Sequence, residues 1–174
     1  MFIDIINKNQ DERLKELNQK IKAIFGFVPS NLALLGSIDT DKLQNFLSYI
    51  LTLSNHKSIH KDYFAFLRLF IAYQEDFSFC IKFNTALLQS KKYSLEVINN
   101  TKNNFEHIPF DNKHKVLAIK SIKSIFHSKN FLQSDFEELY KLGWDDKDIF
   151  TSIEHVGFML QNGRILGAYM KKDK

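Results

Sequence analysis

Sulfur and chain breakers are what this sequence has least of. Two prolines and six glycines among 174 residues leave little punctuation, which favours helices joined by short connections. The single cysteine, Cys80, excludes an intramolecular disulfide framework and cannot alone build a cysteine-rich metal site. No period-two run or hairpin dipeptide argues for a strand. The longest apolar run, "YFAFLRLFIAY", is interrupted by Arg68 and is too short to span a bilayer. The opening "MFIDIINKNQDERLKE" has no basic segment, long apolar run or small-residue cleavage site, so a soluble, cytoplasmic protein without membrane contact is expected. A bias toward one charge is missing too. The 24 basic and 20 acidic residues are spread along the chain, and the densest basic clusters are "KHK" at 113–115 and the terminal "KKDK". That is a solvated surface, and no nucleic acid partner is expected.

What is present is phenylalanine, 17 residues of it, within a hydrophobic content of 44%. The length and apolar content suit one all-helical domain over residues 1–174 with a sizeable core. Residues 2–6, "FIDII", form a short apolar arm. Leu14, Leu17, Ile21, Ile24 and Phe25 repeat at helical spacing from Asp11 to Phe25, where Gly26 stops the helix and Pro29 fixes the turn. "SNLALLGSI" is a short helix that Gly36 should end. Asp39 or Thr40 caps the next, with Leu43, Phe46, Leu47, Ile50 and Leu51 as its apolar stripe. After the polar hinge "SNHKSIHKD" comes a helix from about Lys61 to Tyr73, apolar on nearly every side except at Arg68. Such a helix is buried on most faces and marks the centre of the domain.

"QED" breaks that helix, and the following one carries Phe79, Cys80, Phe83, Leu87 and Leu88. Ser94 caps another, running to about Asn103. Asp111 caps a helix bearing Val116, Leu117, Ile119, Ile122, Ile125 and Phe126. "QSDFEEL" has the form of a capping box built on Ser134 and Glu137, and Gly143 ends that helix. "GWDDKDI" opens the last, with Asp145 as cap, Asp148 reaching back, and Trp144 stapled to Ile149.

"FGFVPSNLALLGSI", the buried helix leading into "FSFCIKFN", then "LGWDDKDIF" and "HVGFMLQNGRILGAYM" resemble, in that order, the landmarks of the alkylhydroperoxidase D and carboxymuconolactone decarboxylase superfamily. The likeness runs from about Phe25 to Ala168. It implies an all-α bundle around a central buried helix, often assembled into trimers or hexamers, and the antioxidant, peroxidase-related chemistry of that superfamily. The superfamily's thiol site has a glutamate on the buried helix, a Cys-x-x-Cys pair opening the next, and a histidine four residues after the second cysteine. The glutamate and histidine move protons to and from one thiol, while the other closes a reducible disulfide. By the resemblance the second cysteine is Cys80, the first falls on Phe77, the histidine on Asn84 and the glutamate on Ala65. Three of the four parts are absent, so dithiol chemistry is not available within one chain.

The candidate site residues follow. Cys80 is either a reactive single thiol, reduced by an outside partner, or a small core residue among Phe77, Phe79 and Phe83. His155, on the last helix, is the candidate base for Cys80, or else a hydrogen-bonded core histidine. Arg68, with Asn84 nearby and Ala65, Ala72 and Glu75 at helical spacing, is a candidate anchor for a carboxylate, or one half of a structural ion pair. His56 and His60 stand four apart, as two metal ligands on one helical turn would. Without a glutamate after His56, they are expected to be surface histidines. Arg164, in "QNGRIL", is a candidate bridge to a neighbouring element or subunit. No cofactor or metal is expected. The expected function is a binding or assembly protein for an unidentified small molecule. The alternatives are a single-thiol peroxidase or disulfide-exchange enzyme on Cys80, and a decarboxylase-like enzyme that holds a carboxylate on Arg68. The apolar surface and the resemblance both imply a homo-oligomer, a dimer or trimer, with "FGFVPSNL" and the last helix near the contact.

Overall fold

The computed structural model describes residues 12–170, so the arm at 2–6 and the terminal "KKDK" lie outside the described residues. The elements are α1 (Glu12–Phe25), α2 (Ser30–Ile38), α3 (Thr40–Ser54), α4 (Tyr63–Gln74), α5 (Ser78–Ser90), α6 (Leu95–Asn103), α7 (Asn112–Phe126), α8 (Gln133–Lys141) and α9 (Asp146–Met170). Short 3-10 turns stand at Phe105–His107 and Ser128–Asn130, and no strand occurs among the described residues. The all-α class read from the sequence is the observed one. Among the described residues no helix is long and apolar enough to cross a membrane. The chain forms two compact units, one from the residues through Asn55 together with those from Gly163, the other His56–Asn162.

In the first unit, Leu14, Leu17 and Ile21 of α1 meet Leu32 and Leu43, with Phe25, Val28, Leu35, Phe46 and Leu47 packed around them. Gly26 ends α1 at φ +78°, a left-handed position that favours glycine. Gly36 behaves differently from the expected stop, because α2 continues through it to Ile38. A Cβ at this position would lie 2.6 Å from Leu14 Cδ1 and 2.8 Å from Leu43 Cδ2. The glycine is there for close approach of those two leucines, and the helix ends two residues later at Ile38, with Asp39 as its C-cap. The Asp39 carboxylate then caps α3 by accepting from Lys42 N–H at 3.0 Å. On α3 the stripe is narrower than expected: Leu43 and Leu53 are buried, while Leu51 is exposed.

The second unit is built on α4. Tyr63, Phe64, Ala65, Phe66, Leu67, Leu69, Ile71 and Ala72 are all buried, so only Arg68, Phe70, Tyr73 and Gln74 reach its less covered side. The helix starts two residues later than the apolar pattern suggests. Buried Asp62 sits at its N-cap, ion-paired to Lys91 and accepting from Tyr93 Oη–H at 3.2 Å. That cluster ties the start of α4 to the end of α5. Phe66 is clasped edge-to-face by Tyr93 and Phe110, with ring centroids 4.9 and 5.7 Å away. After Gln74 the chain turns through Asp76 at φ +52°, and Phe77 N–H returns to Ala72 C=O at 2.9 Å. This turn delivers α5, and with it Cys80, alongside α4.

α8 begins two residues earlier than the "QSDFEEL" pattern suggests, with Leu132 rather than Ser134 at the N-cap. The carboxylate that reaches back is Asp135, which accepts from Leu132 N–H at 2.8 Å; Ser134 and Glu137 do not form the expected box. Asp135 is buried between Lys120 and Lys123 of α7, at 2.6 and 2.7 Å. Burial alone would raise its pKa. The hydrogen bonds from both lysines and from Leu132 N–H outweigh burial and hold the carboxyl far below the usual range. At α9 the expected box is present: Asp148 N–H donates to Asp145 Oδ1 at 2.8 Å, and Trp144 and Ile149 are both buried beside it.

Candidate functional site

Three elements of the second unit meet at Arg68. α4 presents the guanidinium one turn after the buried Ala65. Arg68 Nε–H donates to Asn84 Oδ1 of α5 at 3.1 Å, and Arg68 Nη1 lies 3.5 Å from His155 Nε2 of α9. Asn84 Nδ2–H donates in turn to the Cys80 carbonyl oxygen at 2.8 Å, one helical turn back. The cluster therefore joins Arg68, Asn84 and His155, and it adjoins Cys80 through that residue's backbone. Asn84 and His155 are fully buried, while Arg68 and Cys80 are half-buried.

The electrostatics follow from this placement. Burial pushes the Cys80 thiol above its ordinary pKa, and the Arg68 charge pulls it back without cancelling the effect. The thiol is therefore mostly protonated at neutral pH, a poor nucleophile. His155 moves the other way. Burial first, and then the Arg68 charge, hold its pKa well below the ordinary imidazole value, so the ring is neutral. The facing guanidinium can only donate, so Nε2 serves as acceptor and Nδ1 carries the proton. Phe64 closes one side of the ring edge-to-face at 5.1 Å, and Phe158 lies at 6.3 Å. A neutral histidine facing a guanidinium is a weak base for a thiol.

Asn84 brings a neutral amide that uses its oxygen on Arg68 and its nitrogen on the main chain. Phe77 and Ala65 likewise bring no titratable group. Asn162 Nδ2–H returns to the Phe158 carbonyl at 2.8 Å. His56 and His60 lie in the irregular segment before α4, where their four-residue spacing does not place them on one helical turn. His56 also departs from the expected surface position, with a side chain only 9% exposed beside Asp148. Among the described residues no group of three or more histidine, cysteine, aspartate or glutamate side chains could hold a metal ion.

Sequence reasoning missed a buried hydroxyl chain. Tyr63 Oη lies 2.7 Å from Ser152 Oγ, which lies 2.7 Å from Ser121 Oγ, and Ser121 also donates to the Leu117 carbonyl. The available signal was a lone serine on each of two otherwise apolar faces, Ser121 among Leu117 and Ala118, and Ser152 one turn from His155. Burial raises the Tyr63 phenol far above its ordinary value, so it stays protonated and structural.

The fold is that of known structures. An uncharacterised peroxidase-related protein from Ralstonia eutropha, described as an alkylhydroperoxidase AhpD core, superposes with a TM-score of 0.78 at 16% identity, over 100% of this chain and 91% of that one. An uncharacterised peroxidase-related protein from a Silicibacter species gives 0.83 at 16% identity, over 99% and 91%. This chain therefore has the alkylhydroperoxidase D-like all-helical fold. No protein-family model matches the sequence, and no curated protein matches it.

Proposed function

We propose that this chain is a member of the alkylhydroperoxidase D-like superfamily that has lost the dithiol site and works as a binding protein. Its ligand would be a small anion taken by Arg68. The carrying observation is the Arg68–Asn84–His155 cluster: a half-buried guanidinium that donates to the Asn84 amide, beside a histidine kept neutral. A guanidinium held in this way suits a carboxylate or phosphate, and nothing around it supplies the paired thiol that redox turnover needs. Asn84 and His155 act here as positioning residues. Titrating the protein with benzoate, malonate and inorganic phosphate tests the reading by calorimetry. Millimolar or tighter binding of at least one of them, weakened tenfold or more in Arg68→Met, is expected. No binding of any, or equal binding by the variant, would overturn it.

The second reading is a single-thiol enzyme on Cys80, and the Arg68 charge acting on the thiol is what favours it. Its thiolate would attack a hydroperoxide, releasing an alcohol and leaving a sulfenic acid that an external thiol must reduce. The raised pKa weighs against it. A decarboxylase-like use of Arg68 shares the anion site and differs only in turnover of the bound acid.

Assembly as a homo-oligomer belongs to the same proposal. Exposed Ile24 precedes "FGFVPSNL" and exposed Phe27 lies within it, and exposed Phe150 stands near the start of α9. A monomer in light scattering at micromolar concentration would contradict it. A cytoplasmic setting is proposed because a reducing compartment preserves the free Cys80 thiol, and cell fractionation checks it.

A further inference from the structure

The segment His56–Asp62, which leads into α4, is held by imidazoles to an unusual degree. Ile59 N–H points to His56 Nδ1 at 3.4 Å, Asp62 N–H to His60 Nδ1 at 3.2 Å, and His60 N–H to His114 Nε2 at 3.1 Å. Three main-chain donors of one seven-residue segment thus rely on three histidine nitrogens as acceptors. An imidazole nitrogen accepts only while it is unprotonated, and a protonated ring donates from both nitrogens. An asparagine or aspartate oxygen in the same places would accept throughout the neutral and mildly acidic range.

We propose that this segment is a pH-sensitive strap, fastened to the second unit at neutral pH and released from the start of α4 as its histidines take up protons.

The surroundings hold the rings in place while leaving the acceptors exposed to this change. His114 Nδ1 lies 2.6 Å from Asp111 Oδ1, so the ring stays anchored in either protonation state and only the role of Nε2 changes. Phe110 faces the rings of His60 and His114 at 4.7 and 5.8 Å, and Trp144 faces His114 at 5.1 Å. Lys113 sits over the Trp144 ring and donates to the Gly143 carbonyl at 3.0 Å. His56 Nε2 is 3.7 Å from Asp148 Oδ1 at the N-terminus of α9. Proton uptake there turns a loose contact into an ion pair and takes Nδ1 away from Ile59 N–H. The remaining charged neighbours are Asp62 with its partners Lys91 and Tyr93, and the exposed Lys57 and Lys61. Asp62 keeps its lysine and tyrosine after its own N–H loses His60, so α4 stays attached through its N-cap while the strap before it opens.

Hydrogen exchange of the whole chain, followed by NMR between pH 7.5 and 5.5, reads the strap directly. Protection factors at Ile59, His60 and Asp62, corrected for intrinsic exchange, should fall roughly tenfold relative to the core amides of Leu67 and Leu117. His114→Gln supplies an acceptor that does not titrate. It should abolish the fall at His60 while leaving it at Ile59 and Asp62. Ring nitrogen shifts of the unaltered protein should find His114 Nε2 an acceptor at pH 7.5, and its loss as an acceptor should follow the same pH course as the fall at His60. That result stands even if the variant fails to fold. Protection that tracks the core amides at every pH, an unchanged fall at His60 in His114→Gln, or a protonated His114 Nε2 at pH 7.5 would each overturn the proposal.

Discussion

Phe64→Ala should lower the unfolding free energy by about 3–5 kcal/mol, the usual cost of emptying a buried phenylalanine site. Phe64 is almost wholly buried on α4, edge-to-face with Tyr63 at 5.2 Å and with His155 at 5.1 Å. Its loss removes apolar cover from a histidine that is neutral chiefly because it is dry. A second effect should therefore accompany the first. His155 binds a proton less readily folded than unfolded, so the unfolded state carries more protons below the ordinary imidazole value of about 6.5. The His155 contribution is fully present above that pH and is lost as pH falls below it, by at most about 1.4 kcal/mol per unit. Denaturant unfolding at pH 7.5, 6.5 and 5.5 should show this acid slope in the native chain and a shallower one in Phe64→Ala. A loss under 1 kcal/mol, or an unchanged slope, would mean that Phe64 does not seal His155.

Cys80 should react with a neutral disulfide reagent at pH 7 at least roughly tenfold more slowly in the folded protein than after denaturation. Two independent causes act in the same direction. The thiol is half-buried, and burial raises its pKa against the opposing Arg68 charge, leaving little thiolate. Arg68→Met should slow the native reaction further by removing the one influence that favours the anion. Native labelling as fast as denatured labelling would identify an open, activated thiol and favour the single-thiol reading.

Much of the fold was legible because its signals are local. The N-caps Asp39, Ser94, Asp111 and Asp145 all accept from the backbone three residues on, as their sequence contexts suggest. Glycine was legible only in part, since the same residue type answers two different needs. Gly26 and Gly143 adopt positive φ and end helices, whereas Gly36 stays helical and yields space to Leu14 and Leu43. Ser134 had the better local claim to cap α8. Asp135 took the role because two lysines on α7 hold its carboxylate, and that contact lies outside the local window.

The candidate site was legible as a set of residues but not as an arrangement. Arg68, Asn84, His155 and Cys80 were each singled out by spacing or by resemblance. That Arg68 meets Asn84, 16 positions on, and His155, 87 positions on, depends on how α4, α5 and α9 pack. The roles of the strap histidines are non-local for the same reason. His114, part of the "KHK" cluster in the sequence, has its ring set by the fold against a backbone amide 54 positions away.

Peroxide consumption with a dithiol reductant is the most direct measurement on the proposed loss of the dithiol site. With one cysteine in the chain, a raised thiol pKa and a neutral His155, the rate should be indistinguishable from a control without protein. Turnover well above that control, abolished in Cys80→Ser, would contradict it.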